Sequence, residues 1–449
     1  MRPFPFQKQV VREMEAFNGL TLLAAEMGVG KTPMTIWYLY RNREKVLPAV
    51  VVCPASIKHH WQRELWRVGR IESEILESQT PYAVSASAQV VVINYDILRF
   101  WTKTLKAWKP KTVVVDECQA LGNGRAKQTR AAKSLFRVAE HRIALSGTPL
   151  VNRPIELWHT LNAILPETFF NRLEYAHRYC KPRRTPWGWD FRGASHIDEL
   201  HDLLESKLMI RRRKVDVLKD LPPKLRRVIP MPIENRAEYE RATKDFIAWL
   251  REVDPKKVRS ARKAEELVKV GHLLRLAARS KSKFVIEWIN DFLADSDEKL
   301  IVFAIHKETI QTLRDGCSQK AMVIDGSVPM KNRATIVDRF QTDPKARLLI
   351  GNIRAMGVGL TLTAASNVVF AELPWQPGAA VQAEDRAHRI GAESDVWIWY
   401  LVAAGTIEER LCDVLQSKQA VLSAVLDGGQ TDGDLDVYDQ LIGKWRVKR

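Results

Sequence analysis

The chain has 449 residues, of which 46% are hydrophobic and 27% charged, and this composition excludes a protein that is mainly disordered. Lysine and arginine exceed aspartate and glutamate by 17, which favours a polyanionic partner over small neutral metabolites. The sequence has no apolar stretch of membrane-spanning length, no signal-type N-terminal run and no Cys-x-x-Cys pair, so we expect an intracellular, reducing location without a disulfide framework, a zinc site or a membrane partner.

Short apolar runs alternate with helical stretches in the first third of the chain. Apolar runs without polar alternation are typical of strands that are buried on both faces, and strands separated by helices favour a doubly wound parallel sheet in an α/β fold. The strands that we expect here are Leu20–Ala24, Ala49–Cys53, Gln89–Ile93, Thr112–Asp116 and Arg142–Ser146.

A second set of apolar runs begins near residue 299 and predicts a second α/β domain. Its expected strands are Lys299–Phe303, Ala321–Ile324, Ala346–Ile350, Asn367–Phe370 and Val396–Leu401.

The segment between the two sets, from about 151 to 285, is charged and mostly helical in its periodicity. Pro222 and Pro223 interrupt it, and because two consecutive prolines cannot continue a helix, we expect the interdomain hinge there. We therefore predict residues 1–222 as a first lobe with a helical insertion at about 151–215, residues 223–285 as a helical linker region, and residues 286–449 as a second lobe with a helical C-terminal tail.

A glycine-rich loop with Gly28, Gly30, Lys31 and Thr32 lies between the first predicted strand and a helical segment. Such a turn aims several backbone N–H groups at one point, and the dipole of the following helix adds positive potential there. Lys31 can then reach the β- and γ-phosphates of a nucleotide, and the Thr32 hydroxyl can complete a Mg²⁺ shell. Ala25 stands where the usual pattern has its first glycine.

Two adjacent carboxylates, Asp116 and Glu117, end an apolar strand downstream of this loop. In this position Asp116 is suited to bind hydrated Mg²⁺, and Glu117 is suited to orient or deprotonate the attacking water. The next strand closes on Ser146, Gly147 and Thr148, a tight turn that can sense the γ-phosphate. The loop and the carboxylates together favour nucleotide hydrolysis.

Arg386 and Arg389 lie three residues apart in the second predicted domain, a spacing that on a helix places both guanidiniums on one face. Two aligned arginines are suited to bind an anion such as a γ-phosphate, and a solvated basic helix face is the alternative. The loop Met356–Thr361 contains Gly357 and Gly359 and can expose N–H groups for phosphate contact.

Taken in this order, the glycine-rich loop, the Asp-Glu pair, the Ser-Gly-Thr-Pro turn and the block Gln382–Gly391 resemble the motifs of helicase superfamily two, and in particular those of the Swi/Snf-type DNA translocases. The resemblance spans about residues 3–415 and implies two RecA-like lobes. Further segments that carry it are Pro5–Gln7, Pro54–Ile57 with Trp61 and Glu64, Ile210–Leu218, Leu221–Lys224, Asp325–Ser327 with Arg333 and Phe340, and Leu373–Pro377.

The resemblance implies ATP and Mg²⁺ as cofactors and assigns roles by position. Gln7 would read the adenine edge, and Arg386 and Arg389 would act as arginine fingers. The implied catalytic residues are Lys31, Asp116, Glu117, Arg386 and Arg389, the implied nucleotide-binding residues are Gln7, Gly28, Gly30, Lys31, Thr32, Gly357, Gly359 and Gln382, and the implied metal ligands are Thr32 and Asp116.

The resemblance also implies double-stranded or branched DNA as the partner, bound mainly through its phosphates. The implied DNA contacts are Ser56, Asn94, Tyr95, Arg333 and Thr361, and the residues implied to couple hydrolysis to motion are Gln119, Ser146, Gly147 and Thr148. Gln119 replaces a histidine that the family usually has, Met356 a glycine and Ala392 a glutamine, and none of these changes removes a catalytic group.

We therefore expect an ATP-driven translocase on double-stranded DNA, associated with DNA and able to work as a monomer, that displaces DNA-bound proteins or remodels branched DNA. A strand-separating helicase and an ATP-gated DNA-binding switch without turnover are the alternatives.

Two tryptophans, Trp187 and Trp189, lie close to Arg183 and Arg184 in the predicted insertion. We expect them to pack within the insertion, and stacking on nucleic-acid bases is the alternative.

Overall fold

The structure is a computed structural model that describes residues 2–150, 153–185, 188–246, 265–356 and 360–427. The chain divides into two compact units. Residues up to Asp220, together with a C-terminal segment that begins at Gln419, form the first unit, and Leu221–Lys418 form the body of the second. The division falls just before the Pro222–Pro223 step.

The first unit is built on a seven-stranded parallel sheet with the order β3-β4-β2-β5-β6-β1-β9. Its inner strands are rich in valine and are buried along their length, because helices cover both faces of a doubly wound sheet. The strands are β1 (Leu20–Ala25), β2 (Ala49–Cys53), β3 (Ser73–Ile75), β4 (Val90–Asn94), β5 (Thr112–Asp116), β6 (His141–Leu145) and β9 (Met209–Arg212); β7 (Arg183–Thr185) and β8 (Gly188–Asp190) form a separate hairpin.

Ten α-helices of the first unit lie within the described residues, and two short 3₁₀ turns, Ala55–Ile57 and Cys118–Leu121, follow strand ends. The helices are α1 (Pro5–Ala16), α2 (Lys31–Arg41), α3 (Arg43–Val46), α4 (Lys58–Gly69), α5 (Tyr95–Ala107), α6 (Lys127–Phe136), α7 (Pro154–Ile164), α8 (Arg172–Tyr179), α9 (Ile197–Lys207) and α10 (Lys214–Val217).

The second unit has a six-stranded parallel sheet with the order β10-β15-β14-β11-β13-β12. Its strands are β10 (Lys224–Met231), β11 (Leu300–Ala304), β12 (Met322–Ile324), β13 (Leu348–Asn352), β14 (Asn367–Phe370) and β15 (Val396–Ala403). Its described helices are α11 (Arg236–Lys244), α12 (Glu265–Asp295), α13 (Lys307–Gly316), α14 (Met330–Thr342), α15 (Ile353–Met356), α16 (Pro377–Glu384) and α17 (Ile407–Asp427).

The expected fold class, two α/β lobes with parallel sheets, is confirmed, but two strands lie where we expected only helix. β9 lies at the end of the predicted insertion 151–215 and pairs with β1, and β10 lies in the predicted linker 223–285 and pairs with β15. Both are edge strands, which need no continuous apolar run and tolerate charged residues and Pro230. The hairpin β7–β8 also interrupts the predicted helical insertion.

The end of α17 differs from the predicted assignment of residues 286–449 to the second lobe. Val425 and Leu426 are buried in the hydrophobic core of the first unit, and Asp427 Oδ1 accepts a 2.6 Å hydrogen bond from Arg211 Nε on β9. Within the described ranges, every helix is too short or too polar to cross a bilayer.

Candidate active site

The glycine-rich loop joins β1 to α2 as the sequence predicts. Gly28 and Gly30 have φ angles of +82° and +93°, a left-handed region that residues with a Cβ rarely adopt. α2 begins at Lys31, whose Nζ donates to the carbonyl oxygens of Ala25 at 2.9 Å and Glu26 at 3.3 Å. The lysine ammonium therefore lies over the loop, at the N-terminal end of the helix, where phosphate groups are favoured.

Gln7 of α1 is buried against the same loop. Its Nε2 donates to Val29 O at 3.1 Å, and its Oε1 accepts from Phe4 N at 3.0 Å. A Cβ on Gly30 would lie 2.6 Å from Gln7 Nε2, so the glycine is required for this close approach. The amide thus joins the first helix to the loop; its reading of adenine stays a prediction.

Asp116 ends β5 as a buried carboxylate. Oδ2 accepts a 2.8 Å hydrogen bond from Trp61 Nε1 of α4, and Oδ1 accepts one of 2.9 Å from Glu117 N. Among the described residues no ion pair reaches Asp116. Burial, together with the adjacent Glu117 carboxylate, raises the pKa of Asp116 to about 6. A buried carboxylate that has only uncharged hydrogen-bond donors is suited to bind a cation.

Glu117 is the start of a hydrogen-bonded chain across the site. Gln119 Nε2 donates to Glu117 Oε2 at 2.7 Å, Ser146 Oγ donates to Gln119 Oε1 at 2.7 Å, and Thr148 N donates to Ser146 Oγ at 3.0 Å. The structure therefore brings together Gln119, Ser146 and Thr148, three of the residues predicted to act in coupling. The backbone of Glu117 is left-handed, with a φ of +55°.

Gly147 brings the turn after β6 against the glycine-rich loop. A Cβ at this position would lie 2.7 Å from Met27 Cγ, so a larger residue would push the turn and the loop apart. Next to it, the buried Thr148 Oγ1 has no hydrogen-bond partner among the described residues.

These features fit a magnesium nucleotide. The loop offers N–H groups and the Lys31 ammonium, Thr32 is half-buried at the start of α2, and Asp116 lacks a cationic partner within bonding distance in the described chain. Thr148 Oγ1 is a polar atom that still requires a partner. Lys31, Thr32 and Asp116 are the residues that would hold the nucleotide and its metal.

Arg386 and Arg389 of the second unit donate hydrogen bonds to the same backbone carbonyl oxygen. The Nη1 atoms of both donate to Leu360 O at 3.4 Å, and Arg389 Nη1 also donates to Thr361 Oγ1 at 2.7 Å. The predicted helix through this pair is wrong, because α16 ends at Glu384 and the arginines follow in a turn. Burial and the neighbouring Arg386 guanidinium lower the pKa of Arg389 to about 10.

A cluster of charges around the buried carboxylate of Glu384 lies at the start of this arginine turn. Lys224 Nζ of β10 lies 2.8 Å from Glu384 Oε2 and 2.9 Å from Asp385 Oδ1, and Arg226 of the same strand binds both oxygens of Glu384. Tyr400 OH donates to Glu384 Oε1 at 2.7 Å. Burial alone would raise the pKa of Glu384, but Lys224 and Arg226 lower it to about 2.

Of the three residues of the first unit that are predicted to contact DNA, one is half-buried and two are buried. Ser56 is half-buried in the 3₁₀ turn after β2. Asn94 is buried and donates to Asp96 Oδ2 at 3.0 Å. Tyr95 is 7% exposed, and its hydroxyl donates to Asp116 O at 2.5 Å. The Tyr95 side chain therefore supports the strand that ends in Asp116 from inside the core, and the DNA contacts of Ser56, Asn94 and Tyr95 stay predictions.

In the second unit, Arg333 donates to three carbonyl oxygens, those of Val328 at 3.0 Å, Ala355 at 3.2 Å and Asp325 at 3.2 Å. This arginine ties the loop after β12 to the helix α15, and its DNA contact stays a prediction. Thr361 is exposed and binds Arg389, as described above. Gln382 is half-buried on α16.

Gly357 and Gly359 lie outside the described residues, so their predicted nucleotide contacts stay predictions.

Sequence reasoning missed Trp61 as the donor to Asp116 and missed Arg226 and Tyr400 as partners of Glu384. The i, i+2 spacing of Lys224 and Arg226 carries a signal for one face of a strand, but the expectation of a helical linker concealed it.

Two known protein families match this chain. The model described as SNF2-related domain matches residues 7–281, and the model described as Helicase conserved C-terminal domain matches residues 280–391.

Curated relatives match nearly the whole chain. The protein named DNA annealing helicase and endonuclease ZRANB3 of Bos taurus is 35% identical over 460 residues, which cover 97% of this chain and 42% of that protein. The SWI/SNF-related matrix-associated actin-dependent regulator of chromatin subfamily A-like protein 1 homolog of Caenorhabditis elegans is 35% identical over 438 residues, which cover 94% of this chain and 62% of that protein. The chain thus spans between 42% and 62% of the length of these two relatives. Because the first family model matches more than half of it, the chain belongs to the SNF2-related family of helicase-like ATPases.

Proposed function

We propose that this chain is a DNA-stimulated ATPase that moves along double-stranded DNA and thereby remodels protein–DNA complexes or branched DNA. One observation carries the proposal: three motifs lie at the carboxyl ends of β5, β6 and β1, which are consecutive in the first sheet. Asp116 and Glu117 follow β5, the turn with Ser146 follows β6, and the loop with Lys31 follows β1. Ligands of parallel α/β sheets bind at this edge.

The proposed chemistry assigns each group of the first unit one task. Lys31 and the N–H groups of the loop bind the phosphates, and Thr32 and Asp116 hold the metal, which when bound offsets charge on the phosphates. Glu117 orients the attacking water and accepts its proton.

Gln119 connects that carboxylate to the turn after β6. A displacement of Ser146 reaches Glu117 through two hydrogen bonds of 2.7 Å each, which supports coupling between the state of the phosphate and the position of the hydrolytic group. Gln119 has no titratable proton, so this connection does not depend on its protonation.

Support for DNA as the partner comes from the charge excess of 17 on the chain and from the bovine relative, which is named a DNA annealing helicase and endonuclease. A DNA-associated, intracellular location and monomeric action are part of the same proposal.

The test is phosphate release with and without blunt duplex DNA. We expect the duplex to stimulate release by the unmodified chain, and we expect Lys31→Ala and Glu117→Gln to lower the stimulated rate by at least about a thousandfold, as losses within a catalytic unit do. Lys103→Ala, which changes an exposed lysine of α5, is the matched control and should retain the rate. Equal, near-zero release by all samples would contradict turnover and leave an ATP-gated switch.

Movement without strand separation is tested on a second substrate pair. We expect ATP-dependent displacement of a triplex-forming strand from duplex DNA and no unwinding of a tailed duplex. Unwinding would identify a strand-separating helicase instead. DNA affinity should also fall steeply with salt, because phosphate contacts release counterions.

A further inference from the structure

The hairpin β7–β8 forms a two-stranded sheet separate from the main sheet of the first unit. In its antiparallel register Arg184 lies opposite Trp189. Directly opposed residues of an antiparallel pair project from the same face, with their Cβ atoms about 5 Å apart. A cation and an indole ring are thus neighbours on this face of the hairpin.

Both side chains are available to a partner. Trp189 is 52% exposed, and its indole N–H makes no hydrogen bond with a described residue. Arg184 is exposed and forms neither a hydrogen bond nor an ion pair within the described chain. By contrast, Trp61 and Trp101 of the same unit are fully buried, and each donates a hydrogen bond, at 2.8 Å and 2.7 Å. The indole of Trp189 thus differs from these two in both exposure and hydrogen bonding.

The ring of Trp189 nevertheless contacts two other aromatic rings of the first unit. His177 of α8 contacts it edge-on, with 4.8 Å between ring centroids, and Phe191 lies nearly parallel to it at 6.4 Å. Gly188, the preceding residue, has a φ of +118°, and a Cβ there would meet no atom within 4 Å. The ring is therefore supported on one side by two aromatic side chains.

Arg184 places a positive charge on the same face of the hairpin as this ring. Asp190, the residue that follows the tryptophan, is paired with Arg192 at 2.8 Å, and Arg178, which follows His177, binds Glu199. Lys181 and Arg184 are exposed, and within the described residues neither has an acidic partner. An anion is therefore favoured beside the indole.

We propose that the hairpin binds single-stranded DNA at a junction with duplex, with an unpaired base stacked on Trp189 and the adjacent phosphates bound by Arg184 and Lys181. A nucleotide offers a flat apolar face and an anion side by side, as this surface requires, and alternating stacking and phosphate contacts are the usual way in which single strands are bound. The bases of an intact duplex have their faces covered by neighbouring pairs, so the indole selects an unpaired base. This inference rests on the proposed action on DNA and adds the feature of the substrate that is recognised.

The test compares the Kd of two fluorescein-labelled DNAs of the same duplex sequence, one blunt and one forked with a single-stranded arm, at one fixed salt concentration. We expect the unmodified chain to bind the fork more tightly, and we expect Trp189→Ala to reduce this preference by about tenfold, in line with the loss of one stacked base. Arg184→Ala should reduce it less, and Trp189→Phe should retain most of it, because phenylalanine keeps an aromatic face.

The matched control is Trp66→Ala. Trp66 is 53% exposed on α4 and also lies beside an arginine, Arg70, whose guanidinium is 5.2 Å from the ring centroid. Its removal should leave the fork preference unchanged. If Trp189→Ala behaves like this control, or weakens both DNAs equally, the hairpin proposal is overturned. If the unmodified chain binds neither DNA, the proposed function itself fails, which is a separate outcome.

Discussion

The two units differ in how the charges of their predicted site residues are paired. In the first unit burial and the neighbouring Glu117 carboxylate raise the pKa of Asp116 to about 6, although the indole of Trp61 and a backbone amide both donate hydrogen bonds to it. In the second unit Glu384 is neutralised by Lys224 and Arg226, and its pKa falls to about 2, while the nearby Arg389 receives no carboxylate within bonding distance in the described chain. Within the described chain, the first unit thus holds a buried carboxylate and the second a guanidinium that forms no ion pair.

The largest effect is expected when the Arg389 guanidinium is removed. Arg389→Ala should lower DNA-stimulated phosphate release by about a thousandfold, within the range known for arginine fingers. Arg389→Lys should restore little of the rate, because a lysine cannot supply two donors in one plane. The rates are measured at saturating ATP, with Arg314→Ala, an exposed arginine of α13, as the control. A rate that survives Arg389→Ala would place the phosphate-binding cation elsewhere.

The next effect concerns the neutralised carboxylate. Glu384→Gln should lower the free energy of unfolding at pH 7 by about 3 kcal/mol, because it leaves Lys224 and Arg226 without a buried anion. The lowered pKa of Glu384 contributes stability above its ordinary value of 4.5, and this contribution is lost as the pH falls toward about 2. The difference between the two proteins should therefore narrow below pH 4.5, as measured by urea unfolding. A difference that is independent of pH, or that Glu308→Gln on the surface of α13 reproduces, would contradict this origin.

The smallest expected effect concerns the hydrogen bond that Trp61 donates to Asp116. Trp61→Phe keeps the apolar ring but removes the hydrogen bond to Asp116, and we expect the apparent Mg²⁺ affinity to fall about tenfold, as it does when partners of metal ligands are lost. The measurement is phosphate release as a function of Mg²⁺ concentration. Trp66→Phe, on the exposed side of the same helix, should not change it. If both variants behave alike, the indole serves packing alone.

Much of this arrangement could be predicted from the sequence, for a physical reason. The loop with Lys31, the pair Asp116–Glu117 and the turn at Ser146 each follow a buried strand, and the carboxyl ends of parallel strands share one edge of the sheet. Local spacing was therefore sufficient to bring them together.

The parts that sequence reasoning did not give depend on contacts between distant segments. The cluster around Glu384 is formed by residues more than 150 positions upstream, and its strand β10 is an edge strand without an apolar run. The loss of helix after Glu384 has a similar cause, because the buried salt bridges hold the chain where the predicted helix would have continued. The burial of Tyr95 follows from the hydrogen bond that its hydroxyl makes to the Asp116 carbonyl, which no local pattern reveals.

The left-handed backbone of Glu117 has a consequence for how this chain can evolve or be engineered. A φ of +55° suits glycine or asparagine better than glutamate, and a non-glycine residue there costs about 1 kcal/mol. Heat-resistance screens that ignore turnover would accordingly reward the loss of this glutamate. At this one position, selection for a stable fold and selection for ATP hydrolysis oppose each other, and the chain retains glutamate.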